Sequence, residues 1–134
     1  NHPTLIDIVI LISIVKNADC VVKNDLASNP FITGVIRGTG YISNADPEDL
    51  LQDCSTSLQR GQVLIIFPEG TRSVPGKRLT FLRGAANIAI RCQTGFLPVT
   101  ISCYPDFLIK GRKWYQIPAS RPNIELTFQP QLPY

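Results

Sequence analysis

Midway along the chain, five apolar residues lead directly into a polar loop: Val63-Leu64-Ile65-Ile66-Phe67, then Pro68-Glu69-Gly70-Thr71-Arg72-Ser73. A short apolar run rich in β-branched side chains is typical of a strand buried on both faces. In α/β proteins, functional sites form in loops that leave the carboxyl ends of such strands. This loop offers an acid, a glycine, a hydroxyl group and a guanidinium suited to phosphate. The alternative interpretation is an ordinary turn closed by a Glu69–Arg72 ion pair.

Strand and helix patterns alternate on both sides of this stretch, without repeats or low-complexity segments. The predicted strands lie at residues 20–23, 41–43, 63–67, 96–102 and 124–128. The predicted helices lie at residues 4–16, at residues 83–93 and, between these two, from Pro47 to just before Gly61. Strands joined by helices favour a mainly parallel sheet with right-handed crossovers. We therefore predict an α/β fold, a mainly parallel mixed sheet flanked by helices, in a single domain spanning residues 1–134.

The helix after residue 46 has the clearest boundaries in the sequence. Asp46 can cap it, Pro47 suits its first position, and Glu48 and Asp49 complement the positive end of its dipole. Gly61 follows its last turn, as glycine commonly does at a helix end.

The first seven residues, Asn1-His2-Pro3-Thr4-Leu5-Ile6-Asp7, contain the single histidine of the chain and a carboxylate five residues later. A neutral imidazole can take a proton from a hydroxyl, and a carboxylate on its other nitrogen would fix the tautomer. A five-residue step does not place two side chains on one helical face. We therefore expect His2 in a turn and Asp7 in the first turns of a helix capped by Thr4. The alternative is an ordinary surface histidine, since this spacing also occurs by chance.

Together, H-x-x-x-x-D at residues 2–7 and F-P-E-G-T-R-S at residues 67–73 resemble the PlsC-type glycerolipid acyltransferases, the family of 1-acylglycerol-3-phosphate acyltransferases. The resemblance continues through Phe81-Leu82-Arg83-Gly84-Ala85 and through the predicted strand at residues 96–101. It spans most of the chain, and the pair of motifs is specific. The implied fold is that of the glycerolipid acyltransferases.

The resemblance also implies roles for individual residues. His2 would be the general base that deprotonates an acceptor hydroxyl, and Asp7 would orient it. The residues that would bind the acceptor, with the arginine on its phosphate, are Glu69, Gly70, Thr71 and Arg72.

One block departs from the family pattern. Where the family commonly has G-x-I-x-x-x-R, this chain has Gly40-Tyr41-Ile42-Ser43-Asn44-Ala45-Asp46. A carboxylate in place of the arginine would repel the acceptor phosphate. Either Arg37 or Arg83 supplies the missing positive charge, or the acceptor is not a glycerol phosphate.

The implied reaction moves a fatty acyl chain from acyl-CoA or acyl-carrier protein to a lipid hydroxyl, such as that of 1-acylglycerol-3-phosphate, in phospholipid biosynthesis. The chain lacks a G-x-S-x-G motif, which disfavours a serine acyl-enzyme. A thiolate is already a good leaving group, so we expect neither a metal ion nor a cofactor. Three alternatives remain open: a different, non-glycerophosphate lyso-lipid acceptor, a thioester hydrolase, or a non-catalytic lipid-binding module.

The composition of the chain argues against two other kinds of function, nucleic-acid binding and zinc binding. A net charge of +3 does not indicate nucleic-acid binding. The four cysteines form no C-x-x-C pair, and with one histidine they do not make a recognisable zinc site. We expect reduced, buried thiols, as on a cytosolic face. The first motif begins at residue 2 and the sequence has no methionine, so we expect a fragment of a longer protein, truncated at both ends.

The expected location is the cytoplasmic face of a membrane, with the protein peripheral or anchored through segments outside this sequence. The longest apolar run, residues 8–15, is far shorter than the ~20 residues that a spanning helix needs. Residues 109–115 mix basic and aromatic side chains, which suits the headgroup level of a bilayer. An ordinary solvated hairpin fits this short segment equally well.

Overall fold

A computed structural model describes residues 1–22, 40–43 and 46–134. Within these residues lie three helices, α1 (Asp7–Ile14), α2 (Pro47–Gln59) and α3 (Gly84–Arg91). The same residues form five strands, which are β1 (Ala18–Val22), β2 (Gly40–Ser43), β3 (Val63–Ile65), β4 (Val99–Tyr104) and β5 (Asn123–Phe128).

Strand β1 lies at the centre of a parallel sheet with the order β2-β1-β3. Its Asp19 is in register with Gly40 of β2 on one side and with Leu64 of β3 on the other. Strands β4 and β5 form an antiparallel pair, with Ile101 opposite Leu126. The described strands confirm the predicted α/β class with flanking helices, but they lie in two sheets, a parallel one of three strands and an antiparallel pair, where one mixed sheet was predicted.

The two faces of the parallel sheet are covered by different elements. On one face, Leu11 of α1 packs with Cys20, Ile65 and Ile101, so α1 and the β4–β5 pair cover this side. On the other face, Ile42 of β2 packs with Cys54 of α2 and Ile88 of α3. Because side chains alternate along a strand, neighbouring residues of β1 and β3 contribute to opposite sides.

The cysteines behave as small apolar side chains. All four are free, and Cys20 and Cys54 are buried, as predicted, whereas Cys92 and Cys103 are half-buried. Burial raises the pKa of the Cys20 thiol to about 12 and that of Cys54 to about 11. These two thiols therefore stay protonated at neutral pH and are poor nucleophiles.

Helix α2 begins as predicted. The Asp46 carboxylate accepts hydrogen bonds from the backbone N–H groups of Glu48, at 2.8 Å, and Asp49, at 3.2 Å. Pro47 occupies the first turn, and Gly61 just past the end has a φ of 76°. The acid that departs from the family pattern therefore caps a helix, which is typically worth about 1 kcal/mol.

Helix α1 differs from its prediction at both ends. It runs from Asp7 to Ile14 instead of over residues 4–16, and its N-cap is Ile6, which makes no side-chain capping bond. The prediction that Thr4 is the N-cap was wrong, because the helix starts at Asp7 and Thr4 lies two residues before the N-cap, in an antiparallel bridge with Ile109. Its hydroxyl also donates to the Asp7 carboxylate. The Thr4 hydroxyl accepts from Ile6 N–H at 3.3 Å, so it bonds a backbone N–H just before the helix without being the N-cap residue.

Two strands are also shorter than predicted. Strand β3 ends at Ile65, and two residues later the Phe67 carbonyl accepts from Gly70 N–H in the following turn. Strand β4 begins only at Val99. Pro98, which has no N–H to donate, precedes it, and Phe96 pairs separately with Leu132.

Candidate active site

The His2 and Asp7 side chains are hydrogen-bonded. His2 Nδ1 lies 2.9 Å from Asp7 Oδ2, and the Asp7 side chain is completely buried. The same carboxylate accepts from the Thr4 backbone N–H at 2.7 Å and from the Thr4 hydroxyl at 2.5 Å. An acceptor at Nδ1 favours the tautomer with its proton on that nitrogen, which leaves Nε2 able to accept a proton. This geometry can support general-base chemistry, with the carboxylate orienting the imidazole.

Phe67, the last residue of the central apolar run, packs against the His2 ring. The two ring centroids are 4.2 Å apart with an interplanar angle of 29°. The His2 side chain keeps 18% of its surface exposed. The structure therefore joins the two sequence segments on which the family resemblance rests, and the imidazole still reaches solvent.

A cycle of hydrogen bonds joins the His2 backbone to the polar loop. His2 N–H donates to Glu69 Oε1 at 2.9 Å and to Ser73 Oγ at 3.1 Å. Ser73 Oγ in turn donates to Glu69 Oε1 at 2.7 Å, and Ser73 N–H donates to the His2 carbonyl at 2.7 Å. We call these four contacts among His2, Glu69 and Ser73 the backbone clamp. Glu69 is thus bonded to His2 and Ser73, and the alternative of a turn closed by a Glu69–Arg72 pair was wrong.

The rest of the loop contacts a segment far along the chain. Arg72 Nη1 donates to the Leu108 carbonyl at 2.9 Å, and Lys110 Nζ donates to Thr71 Oγ1 at 2.9 Å. Gly70 adopts a φ of 62°, and a Cβ there would lie 2.8 Å from Leu82 Cδ1. A side chain at residue 70 would therefore be strained in its backbone and crowded against Leu82.

The two remaining candidate cations have different positions. Arg83 is exposed at the N-cap of α3, next to Leu82, whose N–H donates to the Pro68 carbonyl at 2.7 Å. Arg83 therefore adjoins the polar loop. Arg37 lies outside the residues that the structure describes.

Several residues at the site were not found from the sequence. The Asn1 side chain pairs with both backbone groups of Ile101, accepting from its N–H at 2.6 Å and donating to its carbonyl at 2.7 Å. The Leu108 carbonyl accepts from Leu5 N–H as well as from Arg72. Lys110 lies in the basic and aromatic segment 109–115, and its charge was the only sequence signal available.

An apolar pocket of about 240 Å³ lies beside the motif segments. Pro3 and Ser73 line it on the side of the dyad, and Val74, Leu79 and Ile109 line it elsewhere. In the described part of the chain, no cluster of three or more histidine, cysteine or acidic side chains is arranged to hold a metal ion.

The family described as Acyltransferase has a sequence model that matches residues 1–102 of this chain. The chain belongs to this acyltransferase family. It is 33% identical over 123 residues to a Caenorhabditis elegans protein assigned to the 1-acyl-sn-glycerol-3-phosphate acyltransferases (acl-2), an alignment that covers 87% of this chain and 44% of that protein. It is 35% identical over 109 residues to the 1-acyl-sn-glycerol-3-phosphate acyltransferase of Helicobacter pylori, covering 75% of this chain and 46% of that protein.

The acyltransferase fold is shared with a solved structure. The 1-acyl-sn-glycerophosphate (LPA) acyltransferase PlsC from Thermotoga maritima matches with a TM-score of 0.75 at 27% identity, covering 99% of this chain and 53% of that chain. The chain thus spans about half the length of the acyltransferases it matches. The family and fold class predicted from the two motifs are confirmed.

Proposed function

We propose that the chain is the acyl-transfer domain of a 1-acyl-sn-glycerol-3-phosphate acyltransferase. It moves a fatty acyl chain from a thioester, acyl-CoA or acyl-carrier protein, to the free hydroxyl of a lysophospholipid in phospholipid biosynthesis. The observation that carries this proposal is the 2.9 Å contact between His2 Nδ1 and the buried Asp7 carboxylate, beside the Glu69–Ser73 loop. The names of the similar proteins support the choice of acceptor.

The chemistry follows from the geometry of His2. Its Nε2 removes the hydroxyl proton as the acceptor oxygen attacks the thioester carbonyl. The resulting imidazolium is stabilised by the Asp7 carboxylate at Nδ1. The tetrahedral intermediate then expels the thiolate, which takes up the proton from His2, and the ester is released. No cofactor is needed for this sequence of steps.

The acceptor phosphate is bound by the cations of the polar loop. Arg72 uses Nη1 for Leu108, but a guanidinium has five N–H donors, so a bidentate contact with phosphate is compatible with this bond. Lys110 is hydrogen-bonded to Thr71 and adds a second positive charge. It lies outside the residues that the family model matches. It compensates for Asp46, which is occupied in capping α2. Arg83 provides a further charge at the edge of the loop.

Lys110→Ala should raise the KM for 1-acylglycerol-3-phosphate about fivefold with kcat nearly unchanged. The lost contact is an exposed charge pair, worth about 1 kcal/mol. Steady-state acylation assays at varied acceptor concentration measure the effect. The matched control is Lys113→Ala, because Lys113 lies 5.6 Å from the Tyr115 ring centroid and does not contact the loop. Equal KM values for the two variants would remove Lys110 from the phosphate site.

A membrane surface supplies the lipid acceptor, and residues 77–83 form the contact. All three of their apolar side chains, Leu79, Phe81 and Leu82, are exposed. Lys77, Arg78 and Arg83 add positive charge that is attracted to the anionic lipids of a cytoplasmic leaflet. The Leu82–Pro68 hydrogen bond places this segment beside the polar loop. None of the helices in the described residues is long and apolar enough to cross a bilayer.

Phe81→Ser should weaken binding to anionic vesicles about tenfold. The Phe81 side chain is 59% exposed, and burying an aromatic ring of this size in lipid contributes about 1.5–3 kcal/mol when complete. Cosedimentation with phosphatidylcholine vesicles, with and without phosphatidylglycerol, gives the partition coefficients. Trp114→Ser is the comparison, since Trp114 is also exposed and lies in the segment 109–115 that the sequence singled out. If only Trp114→Ser weakens vesicle binding, the membrane contact lies in residues 109–115 and not in residues 77–83.

The activity itself is tested by an acyl-transfer screen of the full chain. Acyl-CoA and acyl-carrier protein are each offered with 1-acylglycerol-3-phosphate and with lyso-lipids that lack a phosphate monoester. Ester formation on the glycerol phosphate is the expected result. Transfer only to other lyso-lipids would change the acceptor, and thioester cleavage without transfer would indicate a hydrolase.

A further inference from the structure

The His2 backbone lies in a segment that has little regular structure of its own. Residues 1–3 belong to no helix or strand, and the first residue in a β-bridge is Thr4. Pro3 carries no N–H, so it cannot supply a hydrogen bond next to His2. The position of the imidazole therefore depends on contacts made by the rest of the chain.

The backbone clamp provides such contacts on both sides of the His2 peptide groups. Glu69 Oε1 accepts from His2 N–H at 2.9 Å, and Ser73 N–H donates to the His2 carbonyl at 2.7 Å. Ser73 Oγ connects the two by accepting from His2 N–H and donating to Glu69 Oε1. Ser73 is buried, where hydrogen bonds compete little with water.

We propose that Glu69 is a positioning residue: through the backbone clamp, it fixes the His2 peptide so that the imidazole faces the acceptor hydroxyl. This inference rests on the proposed acyl-transfer function and assigns Glu69 to the base, whereas the family resemblance assigned it to the acceptor. A single carboxylate oxygen, Oε1, makes both contacts. Because both contacts use lone pairs of this oxygen, an uncharged amide oxygen at the same place can also accept them.

This assignment predicts a particular division of kinetic effects. In Glu69→Ala the His2 N–H loses its main acceptor, and a displacement of the base by about 1 Å can cost on the order of 100-fold in rate. We expect kcat to fall about 30- to 100-fold and the acceptor KM to change less than twofold. Glu69→Gln keeps an oxygen that accepts from His2 and Ser73, and should recover kcat to within about fivefold of the parent.

Two further variants separate positioning from a general loss of structure. Ser73→Ala removes the hydroxyl that connects His2 N–H to Glu69, but it leaves the hydrogen bond between Glu69 and His2. The kcat should therefore fall less than in Glu69→Ala. Glu125→Ala is the matched control, because Glu125 is an exposed carboxylate on β5 and should leave kcat and KM unchanged. Amide hydrogen exchange gives an independent readout, and the His2 N–H should exchange faster in Glu69→Ala while the amides of β1 keep their protection.

Each kinetic outcome decides the matter. A higher acceptor KM with normal kcat in Glu69→Ala would make Glu69 an acceptor ligand and overturn the proposal. A Glu69→Gln variant as slow as Glu69→Ala would also overturn it, because the charge and not the oxygen acceptor would then be required. If the unaltered chain transfers no acyl group, the proposed function fails instead, and the exchange measurement still tests the clamp.

Discussion

His2→Ala should reduce acyl transfer by about 10²- to 10⁴-fold, the range typical for removal of a general base. Without Nε2, no group at the site takes the hydroxyl proton during attack on the thioester. The side chain is only partly buried and its loss leaves Asp7 bonded to Thr4, so the fold should persist. Single-turnover assays with saturating acceptor isolate the chemical step.

Acceptor affinity provides the control for His2→Ala. In the proposed function Arg72 and Lys110 bind the phosphate, and this substitution does not touch them, so calorimetric titration with a non-reactive acceptor analogue should give a Kd within twofold of the parent. A variant with full activity would refute the assignment of His2 as base. A variant that binds no acceptor would instead indicate a damaged site.

Asp7→Asn should lower kcat about 10²- to 10³-fold, the usual effect of losing one preorganised electrostatic contact in an active site. We expect this fall in kcat because the negative charge at residue 7 is lost, whereas the tautomer of His2 can be kept. The amide can keep its oxygen at the Oδ2 position, where it accepts from His2 Nδ1 and Thr4 N–H, and direct its NH₂ to the Thr4 hydroxyl, which can accept. The imidazolium formed during the reaction then has no negative charge opposite it.

Asp7→Ala distinguishes this electrostatic effect from a structural one. It leaves the buried Thr4 N–H and hydroxyl without the acceptor that they have in the structure, at a cost of about 1–3 kcal/mol for each group. Thermal unfolding should therefore show a clear loss of stability in Asp7→Ala and a small one in Asp7→Asn. Near-normal rates in Asp7→Asn would exclude Asp7 from the dyad.

Much of the fold was predictable because its signals are local. Helix α2 is set by Asp46, Pro47 and the residues of its first turn, and the structure places all of them as expected. The β3 strand and its loop follow from one apolar run that ends in a polar turn. The packing of His2 against Phe67 was not predicted, since nothing in residues 1–7 indicates what they pack against.

The contacts that complete the site were not predictable from local patterns. Thr4 has the residue type and position of a helix cap, and only its bridge to Ile109 shows that it is extended. The Asn1 side chain bonds both backbone groups of Ile101, as a neighbouring strand would, and no periodic pattern in the sequence indicates this contact. Lys110 reaches Thr71 from an irregular segment. In each case tertiary contact overrides the local preference.

The bonds that hold His2 and Asn1 join residues 67, 71 and 100 positions apart in the sequence. Closing such large loops costs entropy before any contact is gained, and topologies dominated by distant pairs fold slowly. His2 and Asp7 are only five residues apart, but the position of His2 also depends on the distant residues Glu69 and Ser73. We therefore expect the dyad to be aligned late in folding, after Glu69, Ser73 and Ile101 have come together with the first residues of the chain.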